Sequence, residues 1–433
     1  MKKLTAVIVC FASSAFLFAQ EESAPKKITP NSKYVNEVRI LSEQPSIKAA
    51  FKAIIDQEPE TVRNLITLTQ IPAPPFKEKI RAEKFYQLLR AAGVDSIWPD
   101  AAGNVIALRK GKNGDKTVVI EGHLDTVFPE GTDVTVKQRG DTLFAPGIGD
   151  DTRGLAVVLS LVKAMNAAKV PTSANIIFAG LTGEEGLGDL RGVKQLFNDG
   201  LKIDSYISID GGPISLVTYG GVGSHRYRVT FKGPGGHSYG AFGLANPHNA
   251  LARAIHYFTV DADAFTKSGV KTTYNIGVIG GGTSVNAIPS ESWMEVDMRS
   301  ESAERLNGID QLFQQAIQRG LQEENAMKRS GAELTVDIKT VGDRPSGVQD
   351  TTLALIQRAT AATQLLGSEP KLSISSTNSN IPISKGVPAV TIGKGGKSGG
   401  AHSVNEWWIN DKGYLAIQYA LLVLVAEAGL WTE

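Results

Sequence analysis

The sequence contains a single cysteine, Cys10, among its 433 residues. One thiol cannot form an internal disulfide bond, so the stability of the chain must come from the burial of a large apolar core. Any bound metal ion must then be held by nitrogen and oxygen ligands rather than by thiolates. The chain also lacks an excess of either charge, since its formal net charge is +1. That balance gives no electrostatic basis for binding nucleic acid or an anionic membrane surface.

A long apolar run is also missing. Residues 1–20 instead have the pattern of a secretory signal peptide: two lysines, a short apolar stretch, small residues and then an abrupt change to acidic residues. The apolar stretch is short for a membrane span, which disfavours an anchor. We expect cleavage just after Ala19 or Gln20 and an exported, periplasmic or extracellular bacterial protein with no membrane attachment. Cys10 lies inside this segment and lacks the preceding small residue of a lipid-attachment site.

The rest of the chain has no internal repeat and no Gly-Lys-Ser/Thr phosphate-binding loop. An irregular polar stretch is expected to about Asn36. Over residues 37–223, buried-type strands alternate with helices, which predicts an α/β fold with a mainly parallel sheet flanked by helices. Over residues 224–342, longer strands of alternating polarity and two helical segments predict an inserted, smaller α+β domain. Residues 343–433 return to the first pattern and are predicted to complete the α/β domain.

Polar side chains follow the predicted strands where their carboxyl ends would meet, the edge at which open parallel sheets bind ligands. These residues are His123, Asp125, Asp150, Asp151, Glu184, Glu185, Asp210 and His402. Each has an ordinary structural role when taken alone, such as capping a helix or ending a strand. Together, however, several acids in one crevice would raise one another's pKa unless a cation lay among them. Two histidines with carboxylates favour Zn²⁺, with Co²⁺ or Mn²⁺ less preferred.

Glu184 and Glu185 are adjacent carboxylates with no lysine or arginine before Arg191. Near the end of a strand, neighbouring side chains point in different directions. One carboxylate can therefore bind a metal ion while the other stays free as a base beside the bound water. The number of candidate ligands favours two ions that share a carboxylate, because five protein ligands would close a single zinc site.

The motifs HLD at 123–125, GDD at 149–151, GEEG at 183–186 and AHSVNE at 401–406, with Asp210, resemble in order and spacing the M20 family of co-catalytic zinc peptidases and deacylases. That family includes peptidase T, carboxypeptidase G2 and acetylornithine deacetylase, and the resemblance is nearer to its tripeptidase-like branch. It covers about residues 40–433. It implies a zinc-exopeptidase type of fold in which the inserted domain is a lid and forms a homodimer.

The same resemblance implies the ligand sets. One Zn²⁺ would be held by His123, Asp150 and Asp210, and the other by Asp150, Glu185 and His402. Asp125 would orient His123, a role that physical reasoning also assigns to it. Glu184 would be the general base, and the Asp150–Asp151 peptide bond is expected to be cis.

In the inserted domain, His237 matches a histidine that reaches the partner's active site and stabilises the tetrahedral intermediate. Asn286 and Arg299 match positions that bind a substrate carboxylate, for which the planar fork of arginine is suited. Many relatives have Thr-Asp where this chain has Thr377-Asn378, in a region expected to face the active site. This departure leaves aminopeptidase specificity open. The remaining histidines match no ligand position and are interpreted as structural or surface residues; they are His225, His248 and His256.

The leading interpretation is an exported dizinc hydrolase that cleaves an amide bond in small peptides as a di- or tripeptide exopeptidase, with Glu184 activating the water. A deacylase of N-acyl amino acids, using the same site, is the first alternative. The second is a periplasmic protein on the same scaffold that binds peptides or metal without catalysis. The sequence leaves the direction of exopeptidase action open.

Overall fold

The computed structural model describes residues 25–432, so the predicted signal peptide and Cys10 lie outside the described residues. The first part of the described chain contains β1 (Lys26–Lys27), α1 (Ser32–Ser42), α2 (Pro45–Asp56), α3 (Glu58–Thr69), α4 (Lys79–Ala92), β2 (Ser96–Pro99), β3 (Val105–Arg109), β4 (Thr117–His123), β5 (Lys137–Arg139), β6 (Thr142–Phe144), α5 (Thr152–Ala167), β7 (Asn175–Leu181), α6 (Arg191–Asn198), β8 (Ser205–Gly211) and β9 (Leu216–Gly221).

The middle part contains β10 (Gly223–Lys232), β11 (Gly236–His237), α7 (Pro247–Thr266), β12 (Thr272–Gly281), β13 (Ala287–Ile288), β14 (Glu291–Ser300), α8 (Ala303–Met327) and β15 (Thr335–Arg344). The last part contains β16 (Gly347–Val348), α9 (Ala354–Leu365), β17 (Lys371–Ser375), α10 (Asn380–Ser384), β18 (Ala389–Gly393), β19 (Lys397–Gly399), β20 (Trp407–Ile409) and α11 (Tyr414–Ala428).

The central sheet has the strand order β1-β17-β9-β18-β8-β4-β7-β3-β2, and β16 pairs with β9. Its four middle strands, β18, β8, β4 and β7, run parallel, whereas β3 and β2 extend it in antiparallel fashion. The middle strands are apolar along almost their whole length because helices cover both faces. Helices α5, α9 and α11 bury one face, and α6 lies on the other. The predicted α/β class with a mainly parallel central sheet is confirmed.

Residues 223–344 form a separate antiparallel sheet of order β12-β14-β10-β15. Helices α7 and α8 pack on one face of it and enclose a core of their own, which includes Phe231, Phe258, Met294 and Phe313. Strands β11 and β13 of this unit form a separate two-stranded antiparallel sheet. A further small sheet, β19-β20-β6-β5, joins the last part of the chain to the first.

The expectation of an irregular stretch up to Asn36 is wrong, because α1 already begins at Ser32. Asn31 caps this helix by accepting a hydrogen bond from the backbone N–H of Lys33. Val38 is fully buried, and the helix packs against α9 of the last part of the chain. Its partner is thus more than 300 residues away, so the short polar-looking segment gives no local sign of this burial. Within residues 25–432, no helix has the length and apolarity needed to cross a bilayer.

Candidate metal centre and active site

The five predicted ligand side chains meet at the carboxyl edge of the central sheet. His123 is the last residue of β4, Asp210 lies near the end of β8, and Glu185 follows β7. Asp150 stands just before α5, and His402 lies in the loop between β19 and β20. Adjacent parallel strands end side by side, so residues far apart in sequence lie together at this edge.

Asp150 lies between the two histidines and offers one carboxylate oxygen to each. Its Oδ1 is 3.3 Å from His123 Nε2, and its Oδ2 is 3.1 Å from His402 Nε2. Asp210 Oδ1 is 3.7 Å from His123 Nε2, and Glu185 Oε1 is 3.0 Å from His402 Nε2. Ligand atoms around a tetrahedral zinc ion lie about 3.3 Å apart, since each bond is roughly 2.0 Å long. The donor set therefore fits two ions that share Asp150.

Asp151 is also close enough to His123 and Asp210 to act as a ligand. Both of its carboxylate oxygens, however, accept hydrogen bonds from the backbone: Oδ2 from the N–H of His123 at 3.0 Å and Oδ1 from that of Gly154 at 3.1 Å. The second bond caps α5. We therefore assign the ligand role to Asp150 and a structural role to Asp151. The peptide bond between Asp150 and Asp151 is cis, as the resemblance implies.

Asp125 is fully buried and holds the segment that carries the glutamate pair. Its Oδ1 accepts from the backbone N–H of Glu184 at 2.9 Å, and its Oδ2 accepts from that of Glu185 at 2.8 Å. His123 Nδ1 lies 3.6 Å from Asp125 Oδ1. Burial alone would raise the pKa of Asp125, but His123 and the two N–H groups hold it below its usual range. Asp125 thus touches both a predicted ligand and the backbone of the predicted base.

Glu184 is buried beside the ligands but makes a different contact. Arg344 Nη1 lies 3.2 Å from Glu184 Oε1, and Arg344 Nη2 donates to the backbone oxygen of Glu184. Burial raises the pKa of Glu184 to about 8, against the opposing charge of Arg344 and with the support of the neighbouring Glu185. A carboxylate with such a pKa can accept and release a proton near neutral pH. Sequence reasoning missed Arg344.

Lys394 is a second residue that sequence reasoning missed. Its buried ammonium lies 3.3 Å from one oxygen each of Asp150, Asp151 and Asp210. Burial alone would lower the pKa of Lys394, but these three carboxylates outweigh it and raise the pKa well above its usual value. Lys394 directly follows the apolar strand β18, and a charged residue at that edge was the available signal.

Glu406 is the third missed residue, although it ends the AHSVNE motif. Its carboxylate accepts hydrogen bonds from the backbone N–H groups of Gly147, Gly149 and Asp150, at 2.6, 2.8 and 2.8 Å. Backbone N–H groups bound to a carboxylate form strong, charge-assisted bonds. Glu406 therefore fixes the loop that presents Asp150 to the two histidines.

Comparison with known proteins identifies the family of the chain. Residues 119–426, well over half of the chain, match peptidase family M20/M25/M40. The chain belongs to this family.

Two curated M20-type relatives illustrate its range. The cytosol non-specific dipeptidase of Escherichia coli (strain K12) is 25% identical over 297 residues, which are 59% of this chain and 57% of the dipeptidase. The acetylornithine deacetylase of Myxococcus xanthus is 25% identical over 296 residues, 66% of this chain and 74% of that enzyme. The chain thus spans little more than half of the dipeptidase's length.

The fold is similar to that of a solved tripeptidase from Staphylococcus aureus subsp. aureus mu50. The TM-score is 0.69 at 21% identity, and the match covers 85% of this chain and 98% of the tripeptidase. The predicted membership of the M20 family and its fold are therefore confirmed.

In this M20 protein, Arg299 and His402 line one cavity of about 490 Å³, here named the Arg299 cavity. Its wall also includes Tyr274, Asp297 and Ser376. Arg299 Nε donates to Asp297 Oδ2 at 2.7 Å, which holds the guanidinium in place. The structure thus joins the predicted carboxylate-binding arginine to the metal centre through a single open space.

His237 and Asn286 lie elsewhere. His237 is exposed, and its Nδ1 accepts from the backbone N–H groups of Tyr239 and Gly240 at 3.3 Å. Asn286 is exposed too, and its Oδ1 accepts from Ser284 Oγ at 2.6 Å. Among the contacts of residues 25–432, neither side chain reaches the ligand cluster of its own chain. Both lie at the two-stranded sheet of β11 and β13: His237 ends β11, and Asn286 directly precedes β13.

The region around Thr377-Asn378 reaches the Arg299 cavity through Ser376, but the side chain of Asn378 contacts a buried acid instead. Asn378 is buried, and its amide donates to Glu121 Oε2 at 3.1 Å beneath the sheet edge. Burial raises the pKa of Glu121 to about 7. Asn378 is therefore a hydrogen-bond partner of a buried acid. The three other histidines stand apart from the ligands: His225 lies near Asp310 and Asp343, His248 contacts Ser292, and His256 is exposed.

Proposed function

We propose that the protein is an exported, metal-dependent hydrolase that cleaves an amide bond in a small peptide. The observation that carries the proposal is the position of Asp150 between His123 and His402, with the buried Glu184 beside the ligands but bound to Arg344 instead. A carboxylate shared by two histidine sites is the donor set of a two-metal centre, and a neighbouring acid that is not a ligand can serve as base.

The residues of the site have separate roles in the proposed reaction. Zinc ions held by the five ligand side chains would supply an activated water and polarise the carbonyl of the substrate. Glu184 accepts the proton of the attacking water and passes it to the leaving amine. Asp125 keeps His123 and the glutamate pair in place. Arg299 binds the substrate carboxylate in a cavity whose volume suits a small ligand.

A deacylase of N-acyl amino acids is the second candidate, and one observation favours it. Asp297, an acid in the wall of the Arg299 cavity, is already bound by Arg226 at 2.8 Å and by Arg299 at 2.7 Å. An acid engaged by two guanidinium groups is a poor partner for a free substrate amine. A substrate whose amine is acylated needs no such partner, while its carboxylate can still bind Arg299.

The proposed assembly is a homodimer through the inserted domain. Strand β12 lies at the edge of its sheet, where Val278 and Ile279 are exposed, and an open strand edge readily pairs with a second chain. His237 contacts no ligand of its own chain among the described residues, which supports a role for it in the site of a second copy. There its imidazole would stabilise the negative charge that develops on the attacked carbonyl oxygen.

Mixing two inactive variants tests the dimer. Glu184→Gln and His237→Ala homodimers should each be inactive. After subunit exchange, about a quarter of wild-type activity should return, because half of the dimers are mixed and each mixed dimer has one complete site. Failure of activity to return, together with a monomeric mass in sedimentation, would contradict the dimer.

The decisive experiment for the activity combines a substrate panel with metal analysis. Dipeptides, tripeptides and N-acetyl amino acids are offered to the wild type, to Glu184→Gln and to Glu83→Gln, an exposed control on α4. We expect Glu184→Gln to keep about two zinc ions per chain and to lose roughly 10²- to 10⁴-fold in kcat, while the control stays active. Bound zinc without hydrolysis of any substrate by the wild type would instead support a binding protein.

The proposed location is outside the cytoplasm. The support is the amino-acid pattern of residues 1–20, with its lysines, apolar stretch and small residues before an acidic segment. Fusing residues 1–30 to a reporter that is active only after export tests this. A reporter that remains inactive and cytoplasmic would contradict export.

A further inference from the structure

The segment that carries the glutamate pair, Gly183–Leu190, is irregular and is here named the Glu184 segment. It connects β7 to α6 through a single turn of 3₁₀-helix at Gly186–Gly188. Asp189 and Leu190 then adopt left-handed backbone conformations, with φ of 53° and 58°. Such a segment has few hydrogen bonds within itself, so other elements must define its position.

Asp125 contacts the Glu184 segment from the catalytic side, and the inserted domain contacts it from the other side. Arg344, the last residue of β15, binds both the carboxylate and the backbone oxygen of Glu184. Arg226 of β10 donates from Nη1 to the backbone oxygen of Gly186 at 2.9 Å. The backbone N–H of Asp343 donates to Asp189 Oδ1 at 2.8 Å. Two neighbouring strands of the inserted sheet thus hold this segment at three places.

Arg344 is the central contact of this set. It is buried, as is Glu184. Its Nη1 also donates to Ser376 Oγ at 3.0 Å, and Ser376 lines the Arg299 cavity. One guanidinium therefore joins the inserted domain, the segment with the proposed base and the wall of the cavity. Because a buried ion pair contributes little net stability, stability alone is a weak explanation for such a pair.

We propose that Arg344 is a positioning residue through which the inserted domain sets the geometry of Glu184. Arg344 occupies Oε1 of the carboxylate, and the hydrogen bonds within residues 25–432 place no donor on Oε2. Only Oε2 is then available for proton transfer. The contact between Oε1 and the Arg344 guanidinium determines the direction in which Oε2 points. A shift of the inserted sheet relative to the central sheet moves the base. The inference rests on the proposed role of Glu184.

Three variants and a matched control test the proposal. Arg344→Met removes the contact, whereas Arg344→Lys keeps the charge but cannot bind the carboxylate and the backbone oxygen through a planar fork. Arg226→Met removes the neighbouring contact with Gly186. Arg228→Met is the control: Arg228 also lies on β10 and forms an ion pair with Glu295 at 2.8 Å, but its partners lie within the inserted sheet.

We expect kcat to fall about a hundredfold in Arg344→Met and about tenfold in Arg344→Lys and Arg226→Met, because a displacement of roughly 1 Å is costly for catalysis. KM should stay within about threefold in the two Arg344 variants, and bound zinc should be unchanged in all three variants, since no ligand is altered. Arg226→Met also removes the ion pair with Asp297 at 2.8 Å in the cavity wall, so for this variant only kcat and bound zinc are compared. Arg228→Met should resemble the wild type. Arg344→Met leaves Glu184 buried without its partner and should unfold at a lower temperature, so the kinetics are measured well below that temperature. A loss of kcat in the folded variants with intact KM and zinc content separates positioning from a general structural role.

Amide hydrogen exchange gives a readout that does not depend on activity. Exchange in the Glu184 segment should accelerate about tenfold in Arg344→Met and stay unchanged in Arg228→Met. Unchanged kcat and unchanged exchange in Arg344→Met would overturn the proposal. If the wild type hydrolyses no substrate, the proposed function fails, and unchanged exchange would then overturn the anchoring as well.

Discussion

Replacing Asp125 by asparagine is the most incisive single change, because it removes one negative charge and leaves the side chain the same size. The carboxylate accepts from the N–H groups of Glu184 and Glu185 with separate oxygens. An amide has one carbonyl oxygen and can accept only one of these two bonds, so the other N–H faces an NH₂ group. The lost charge-assisted bond is worth about 1.5–3 kcal/mol.

If the lost hydrogen-bond energy destabilises the transition state relative to the bound substrate by this amount, kcat decreases roughly 10- to 150-fold. A difference of 1.36 kcal/mol corresponds to a tenfold change in rate. Zinc affinity should decrease modestly as well, because the substitution removes a negative charge 3.6 Å from His123 Nδ1 but keeps the 3.0 Å hydrogen bond between that nitrogen and the backbone oxygen of Asp125. The assay is steady-state kinetics on the best substrate of the panel, with zinc affinity measured by competition with a chelating dye.

Asp204→Asn is a matched control. Asp204 Oδ2 also accepts from a backbone N–H, that of Thr117 at 2.9 Å, but at the opposite end of β4 from His123. It should leave both kcat and zinc affinity unchanged. The reasoning is refuted if Asp125→Asn keeps kcat within about threefold and zinc affinity unchanged, because that would show that the two N–H bonds do not position the glutamate pair.

Two further predictions concern stability. The carboxylate of Asp310, 3.6 Å from His225 Nδ1, raises the pKa of His225 above its usual value despite partial burial, and Asp343 adds to this. The protonated ring therefore stabilises the fold below the ordinary pKa of histidine, and this contribution disappears as the pH rises through the folded-state pKa. His225→Gln should consequently destabilise the protein more at about pH 5.5 than at about pH 9. Equal shifts in the thermal unfolding temperature at both pH values would contradict this. A Cβ at Gly154 would lie 2.3 Å from each carboxylate oxygen of Asp151. Gly154→Ala should therefore cost about 1–3 kcal/mol or more and weaken zinc binding, and a variant that unfolds and binds zinc like the wild type would show that Asp151 adapts freely.

The ligand cluster could be predicted because several of its members are polar residues that end or follow an apolar strand. His123 and Asp210 each end a buried apolar strand, and parallel strands end at a common edge. Glu185 follows a third such strand. A charged or metal-binding side chain at the end of an apolar run is conspicuous in sequence, whatever the details of the fold.

Arg344 and Glu406 could not be found in this way, because each acts on a partner from a distant part of the chain. Lys394 is different: it directly follows the apolar strand β18, so the same signal was available for it. Arg344 contacts a residue 160 positions away, and Glu406 binds a backbone N–H 256 positions away. No spacing rule relates such pairs. Helix α9 is hard to predict from sequence for a different reason: apolar and polar residues are buried almost all around it, so it has no polar face that would reveal a helical period.

Glu406 fixes the loop that carries Asp150, and this determines when the ligand cluster can form during synthesis. Chains fold from the N-terminus during synthesis, at about 5–20 residues per second. A nascent chain that has reached the end of the inserted sheet already carries His123, Asp150, Glu185 and Asp210, but it lacks both His402 and the carboxylate that fixes Asp150. The predicted ligand cluster is therefore completed only when the segment that carries His402 and Glu406 is in place. An unfinished chain therefore lacks the complete ligand set because of the order in which its parts are made.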